Sequence, residues 1–213
     1  TVEDVAGAGP LFAQDPVDVL QIVVAGRSPG QRMAGGDEHA GLSHNAAPLL
    51  PGRTVKKIAL FADVQNLYYT VRQAHGCHFH YAELWRQVAA QGEIVEARAY
   101  AIDRGDAKQR QFQQILRNLG FEVLLKPYIQ RSDGSAKGDW DVGIALDVMD
   151  AAERVDEVVL ASGDGDFDLL LQRARARHGV VCSVYGVEGL TAHSLIRAAD
   201  RFVPVEGALL LKN

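Results

Sequence analysis

After its first 54 residues, the chain alternates short apolar runs with longer segments whose apolar residues recur at helical spacing. The apolar runs 57–62 and Glu157–Ala161 are typical of strands buried on both faces of a parallel sheet. Segment 106–119 carries its apolar residues on one helical face, with Asp106 as its N-cap and Gly120 as the residue that ends it. The same patterns predict strands at 93–102, 121–129, 180–185 and 202–205, and helices at 81–91, 139–153, 166–178 and 191–199.

This alternation of strands and helices predicts an α/β fold. Single helices between successive strands form βαβ units, so the sheet should be mostly parallel, with helices on both faces. In such sheets, ligands bind beyond the carboxyl ends of the strands. The residues that directly follow each strand are therefore the first candidates for a functional site.

Residues 1–54 differ in composition from the rest of the chain. They hold five of the seven prolines and eight of the 21 glycines, and most of them show little apolar periodicity. We therefore expect an N-terminal extension that is largely irregular, with one short element at 16–25 that docks on the body or on another subunit. The main domain should span 55–206 and be followed by a C-terminal tail at 207–213.

Acidic residues follow two of the predicted strands. Asp63 directly follows the first strand, with Asn66 shortly after it, and Ser162 and Asp164 follow the strand Glu157–Ala161. If these two strands are neighbours, both groups of side chains meet at one edge of the sheet. Further acids lie at or near the starts of predicted helices: Asp139, Asp141, Asp166 and Asp168.

The chemistry of such a cluster favours a cation. Crowded carboxylates repel one another, so either some are protonated, with a raised pKa, or a cation compensates them. Carboxylate oxygens suit Mg²⁺ or Mn²⁺, which can lower the pKa of a bound water and stabilise charge on a phosphodiester. Gly163 and Gly165 would allow a tight turn near a ligand, and Asn66 or Ser162 could orient a water or hold a phosphate oxygen.

Simpler interpretations stay open for several of these residues. Asn66 could be a turn residue, whereas a capping role is a weaker explanation for Asp63 and Asp164, because one cap does not explain two facing acids. Three acids could serve only as helix N-caps or surface charges: Asp139, Asp166 and Asp168. A histidine metal site is disfavoured, because the histidines are scattered and three of them fall on a predicted loop: His75, His78 and His80.

Basic and aromatic residues near the acids indicate how a polyanion could be held. Arg104 and Lys108 lie on or beside a predicted helix, and Arg131 and Lys137 flank the loop before Asp141. Each could belong to a solvated surface, but together they form a candidate phosphate-binding rim. Three aromatic residues could stack on bases or simply pack: Tyr68, Tyr69 and Trp140.

Four segments carry a resemblance to a known family: 61–67 (FADVQNL), 137–147 (KGDWDVGIALD), 160–167 (LASGDGDF) and 198–202 (AADRF). In this order they resemble the NYN domain family, and most of all its bacterial LabA-like branch, which belongs with the PIN-like nucleases. The resemblance covers 56–206 and leaves 1–54 without a counterpart. It implies a Rossmann-like three-layer α/β/α sandwich with a central parallel sheet.

The resemblance also implies an Mg²⁺- or Mn²⁺-dependent ribonuclease. Three acids would be the metal ligands: Asp63, Asp141 and Asp164. The same motifs would complete the catalytic set with Asn66, Ser162 and Asp166. Water activated by the metal would attack the RNA phosphodiester in line, and cleavage would be endonucleolytic, in RNA processing or turnover.

Two positions depart from the family pattern. The family usually has one residue between its Lys-Gly pair and the acid, whereas Asp139 and Trp140 both intervene here. We assign the family acid to Asp141, because the segment VGIALD follows it as it does in the family. Asp168 stands where the family more often has an apolar or small residue.

Composition narrows the expected partners. The chain has 22 Lys+Arg against 27 Asp+Glu, a formal net charge of −5, which argues against broad coating of nucleic acid but not against a local, metal-bridged contact with RNA. No apolar run reaches the ~18 residues needed to span a bilayer, and the two cysteines lack metal-ligand spacing. Together with the family resemblance, these observations lead us to expect a cytoplasmic, RNA-acting protein without a membrane partner. We also hypothesise a homodimer formed through the N-terminal extension.

Two other functions remain as alternatives. An RNA-binding or regulatory NYN module with little or no catalysis would have the same fold. A phosphatase of the haloacid dehalogenase type would use Asp63 as its nucleophile, and Asp164 and Asp168 match the spacing of its last acidic motif. Its first motif, however, needs an aspartate where this chain has Gln65.

Overall fold

The computed structural model describes residues 55–103, 105–127, 129–130, 136–137 and 139–211. The extension predicted at 1–54 and two predicted phosphate-binding residues, Arg104 and Arg131, lie outside these ranges. The strands are β1 (Lys57–Asp63), β2 (His78–Phe79), β3 (Glu93–Asp103), β4 (Glu122–Pro127), β5 (Ile129–Gln130), β6 (Ala136–Lys137), β7 (Glu157–Ala161), β8 (Val181–Gly186), β9 (Arg201–Pro204) and β10 (Leu210–Leu211). The α-helices are α1 (Val64–His75), α2 (Tyr81–Ala89), α3 (Ala107–Leu119), α4 (Asp141–Ala152), α5 (Asp168–His178) and α6 (His193–Ala198).

Six strands form one parallel sheet in the order β4-β3-β1-β7-β8-β9. From β1, the chain builds outward to β3 and β4, then crosses back to β7 and builds toward the other edge. The carboxyl ends of β1 and β7 therefore lie side by side where the direction reverses, which is the place where such sheets bind ligands. The predicted α/β fold with a parallel sheet is confirmed, and short antiparallel pairs, β2 with β10 and β5 with β6, accompany it.

Helices cover both faces of this sheet. Strand β1 alternates its side chains between the faces, so that Ile58, Leu60 and Ala62 join one core with α1, α2 and α3. Ala59 and Phe61 join a second core with α4, α5 and α6. All five side chains are fully buried. The three-layer sandwich therefore clamps β1 from both sides and fixes the residue that ends it, Asp63.

Most of the predicted elements are present, with shifted ends. Helix α3 has the predicted cap, because the Asp106 carboxylate accepts a hydrogen bond from the Gln109 backbone N–H over 2.7 Å, and Gly120 ends it at a φ of 111°. The helix predicted from 139 begins at Asp141. The helix predicted from 166 begins at Asp168, after a 3₁₀ turn at Gly165–Phe167.

The sequence analysis did not predict helix α1. Its signal is three apolar residues at helical spacing: Leu67 and Val71, which are fully buried, and Val64, which is partly buried against the same core. The predicted loop with three histidines is wrong in part, because His75 ends α1 and His78 lies in β2. Within the described residues, none of the helices combines the length and the apolar character that a membrane crossing requires.

Candidate active site

The candidate site begins with Asp63, which ends the central strand and caps the helix that follows it. One carboxylate oxygen, Oδ1, accepts a hydrogen bond of 3.1 Å from the Asn66 backbone N–H. The other, Oδ2, accepts one of 3.2 Å from the Ser162 hydroxyl, which lies just beyond β7. Asp63 is only 9% exposed. The acid predicted to follow a buried strand is thus itself buried, and both of its oxygens have donors.

Asn66 and Ser162 connect the first turn of α1 with the loop that follows β7. The Asn66 side-chain oxygen accepts a 2.8 Å hydrogen bond from the Gly163 backbone N–H. The Ser162 oxygen accepts a 3.2 Å bond from the Asp164 backbone N–H while its own proton is directed to Asp63. The first turn of α1 and the loop after β7 are therefore hydrogen-bonded to each other, and Asn66 is more than a turn residue.

The loop after β7 packs closely against the segment before α6. A Cβ added at Gly163 would lie 3.1 Å from the Thr191 hydroxyl oxygen, and one added at Gly165 would lie 2.9 Å from the Ala192 Cβ. The Ala192 backbone N–H also donates a 3.0 Å hydrogen bond to the Gly163 carbonyl. These glycines leave room for the atoms of the segment before α6 that approach them, and they also form the turn.

Burial and mutual repulsion raise the pKa of the acids. The pKa of Asp63 is raised to about 6, mainly by burial and to a smaller extent by the charges of Asp141 and Asp164, against the opposing effect of its hydrogen bonds from Asn66 and Ser162. Burial is also the main reason that the pKa of Asp141 is raised, followed by the charges of Asp164, Asp139 and Asp166. The predicted acids therefore share one electrostatic environment.

The structure separates the roles left open for the other acids. Asp164 caps the 3₁₀ turn, because its Oδ1 accepts a 3.0 Å bond from the Asp166 backbone N–H. Neither Asp139 nor Asp166 is an N-cap: the cap positions of α4 and α5 are Trp140 and Phe167, without side-chain capping bonds. Asp168 lies one step later, as the first residue of α5. Asp141 occupies the corresponding first position of α4.

One basic residue beside the acids, Lys126, was missed by the sequence analysis. Its ammonium donates a 2.6 Å hydrogen bond to the Asp139 carbonyl and lies 4.3 Å from the centre of the Trp140 ring. Its charge lowers the pKa of Asp141. Its position in the second half of the strand predicted at 121–129 was the available signal. Of the predicted basic residues inside the described ranges, Lys108 lies on α3 and Lys137 in β6.

The aromatic residues pack against protein. The Trp140 indole N–H donates a 2.9 Å hydrogen bond to the Ala101 carbonyl, and its ring lies 5.3 Å from that of Tyr100. Tyr68 and Tyr69 contact each other edge to face, with ring centres 5.2 Å apart. These contacts favour the packing interpretation over base stacking, most clearly for Trp140.

The chemistry of the donors suits a hard divalent cation. Carboxylate oxygens are the ligands that Mg²⁺ and Mn²⁺ prefer. Asp63, Asp141 and Asp164 repel one another, and a bound cation would offset this repulsion. In the arrangement described, no group of three or more His, Cys, Asp or Glu side chains among the described residues is already close enough to hold an ion.

Comparison with known proteins agrees with the four recognised segments. The family model described as NYN domain matches residues 57–206. The chain is 31% identical over 155 residues to low amplitude and bright protein LabA of Synechococcus elongatus, covering 69% of this chain and 82% of that protein. It is also similar to the crystal structure of VPA0982, a protein of unknown function from Vibrio parahaemolyticus, with 52% identity, a TM-score of 0.72, and coverage of 76% of this chain and 100% of that one. The chain belongs to the NYN domain family.

Proposed function

We propose that this protein is a metal-dependent ribonuclease that cleaves RNA endonucleolytically in RNA processing or turnover. The observation that carries the proposal is the buried Asp63 carboxylate, held by Asn66 and Ser162 and repelled by Asp141 and Asp164. A fold gains nothing in stability from ionising a buried acid among like charges. Such an arrangement is typical of a site that awaits a cation or a proton.

The cation in this proposal is Mg²⁺ or Mn²⁺, held by Asp63, Asp141 and Asp164. When bound, it would activate a water and stabilise the charge that develops on the phosphodiester during in-line attack. The chain's own residues orient the ligands. Ser162 and the Asn66 backbone N–H fix the two oxygens of Asp63, and the Asp166 backbone N–H fixes Asp164. The Asp166 carboxylate adds negative charge beside Asp141.

The RNA would be held by basic residues around this edge of the sheet. Lys108 and Lys137 are the described members of the predicted rim, and Arg104 and Arg131 remain its proposed members on sequence grounds. A cytoplasmic location and a homodimer through the N-terminal extension belong to the same proposal.

The experiment is an RNA cleavage assay on the full chain with Mg²⁺ or Mn²⁺. Asp63→Asn and Asp164→Asn should each lower kcat by at least about 100-fold, since even residues that only support metal ligands are worth ~10–100-fold. The matched control is Asp150→Asn, which changes an exposed acid on the same helix as Asp141. If both site variants cleave as fast as the parent, the site is wrongly assigned.

A second candidate is an RNA-binding or regulatory module with little catalysis. It is favoured by one observation: the acids of the described residues do not already form a group that would hold an ion. RNA binding without turnover across several divalent metals would support it. The phosphatase alternative stays the weakest, because Gln65 occupies the position of its second required aspartate.

A further inference from the structure

Lys126 is the next-to-last residue of β4, where it pairs in register with Ile102 of β3. Its ammonium donates to the Asp139 carbonyl over 2.6 Å and lies above the Trp140 ring at 4.3 Å. Ammonium contact with an indole face is itself stabilising. The charge is thus held at the residues that lead directly into Asp141.

Trp140 is in turn held from three sides. Its indole N–H bonds to the Ala101 carbonyl over 2.9 Å, and its ring lies 5.3 Å from that of Tyr100. The ring also covers Gly143, where an added Cβ would lie 2.8 Å from a ring carbon. A fixed ring beneath Lys126 limits how far the ammonium can move away from the acids.

The ammonium of Lys126 also differs from several arginines of the described residues, which are paired with carboxylates, as Arg98 is with Asp147 and Arg175 with Asp200. Lys126 forms no ion pair within 4 Å among the described residues, and it affects Asp141 only from a greater distance. An ammonium has three donors, and one of them is given to the Asp139 carbonyl.

We propose that Lys126 binds a phosphate of the RNA beside the acidic site, at a subsite whose position is set by Trp140 and the Asp139 carbonyl. This inference rests on the proposed function. A polyanion that approaches Asp139, Asp141, Asp164 and Asp166 meets like charge, and Lys126 supplies a fixed opposite charge next to them. Its remaining donors are suited to phosphate oxygens. The subsite contacts the backbone, so it contributes to affinity and register and reads no base.

The test compares Lys126→Met, which keeps the apolar stem over Trp140, with Lys126→Arg, which keeps the charge. The control is Lys57→Met, an exposed lysine at the opposite end of the sheet. Steady-state cleavage of a short single-stranded RNA gives KM and kcat. Fluorescence anisotropy of the same labelled RNA on each protein, in an Asp164→Asn background at increasing salt, gives Kd and its salt dependence.

Lys126→Met should raise KM and Kd by about 3- to 10-fold and reduce the slope of log Kd against log salt by about 0.7–1, the value of one phosphate contact. It should leave kcat within about twofold, and Lys126→Arg should restore most of the affinity.

If the parent cleaves RNA and Lys126→Met has an unchanged KM and salt slope, the subsite is refuted and the proposed function stands. A fall in kcat at unchanged Kd also refutes it, because Lys126 would then act only through Asp141. A parent that neither binds nor cleaves RNA overturns both proposals.

Discussion

The Ser162 hydroxyl donates to the Asp63 carboxylate over 3.2 Å, although 99 positions separate the two residues in the chain. The same hydroxyl oxygen accepts from the Asp164 backbone N–H. Ser162 therefore connects two acids that repel each other, and it stabilises the ionised form of one while ordering the loop of the other. The contact depends on the pairing of β1 with β7.

Replacing Ser162 by alanine should move the pKa of Asp63 upward. The buried carboxylate loses one donor that favours its ionised form, and the Asp164 N–H loses its acceptor. We expect the acidic limb of the pH–rate profile to shift to higher pH, with a loss of about 1–3 kcal/mol in the free energy of unfolding. Ser183→Ala, at an equally buried serine of β8, should destabilise without moving the profile. A profile for Ser162→Ala that matches the parent's would contradict this role.

Asp63→Asn should stabilise the metal-free protein at neutral and alkaline pH. The folded-state pKa of about 6 lies above the ordinary value of 3.8, so the folded protein binds this proton more tightly than the unfolded chain does. Protonated Asp63 therefore stabilises the fold fully below about pH 4, and this stabilisation is lost as the pH rises to about 6. At higher pH, the free energy of unfolding is lower by roughly 3 kcal/mol than it is at low pH because of this group. Urea denaturation in a chelator should show Asp63→Asn more stable than the parent at about pH 8 and similar to it at about pH 4. Equal stabilities at both pH values would show that Asp63 titrates normally.

Divalent metal should stabilise the parent more than the ligand variants. A cation that binds only the folded state raises the free energy of unfolding, by about 2.7 kcal/mol at a concentration of 100 times Kd. We expect Mn²⁺ to raise Tm in the parent and in Asp150→Asn, and to have little effect on Asp63→Asn or Asp141→Asn. A Tm increase that is the same in all four proteins would place the ion elsewhere.

Gly165→Ala should disrupt the site through a steric clash with Ala192. Its new Cβ would lie 2.9 Å from the Ala192 Cβ, and such overpacking costs about 1–3 kcal/mol. Cleavage should fall because Gly165 opens the turn between Asp164 and Asp166. The double variant with Ala192→Gly removes the opposing atom and should recover stability and activity. Failure of this rescue would show that Gly165 is needed for its backbone rather than for the close approach.

The site residues that could be predicted from the sequence are those that directly follow a buried apolar run. Asp63 and Asp164 follow buried apolar runs, and such runs predict both a parallel strand and the edge at which it ends. Lys126 was not predicted, because its position beside the acids depends on the pairing of β4 with β3 and on the conformation of the chain around Trp140. Neither can be read from the hydrophobic periodicity of the sequence. Asp139 was considered a cap, whereas the chain uses its carbonyl to hold Lys126.

Helix α1 shows the same limit. Its core-facing side has only three apolar residues, Val64, Leu67 and Val71, and just the last two are fully buried. This periodicity is weak among polar and tyrosine residues. The residue that starts the helix, Asp63, is a cap and a candidate ligand at once. A sequence pattern can identify such a residue without separating its two roles, because both need an acid at the end of a strand.

The burial of β1 after its first residue links the site to the folding cooperativity of the domain. Asp63 ends a strand whose side chains are shared by both cores, so its backbone is held by the most buried part of the sheet. Regions with that degree of burial open only in global unfolding. Amide hydrogen exchange at the end of β1 should therefore be as slow as anywhere in the protein, and slower than in β4, which lies at the edge of the sheet.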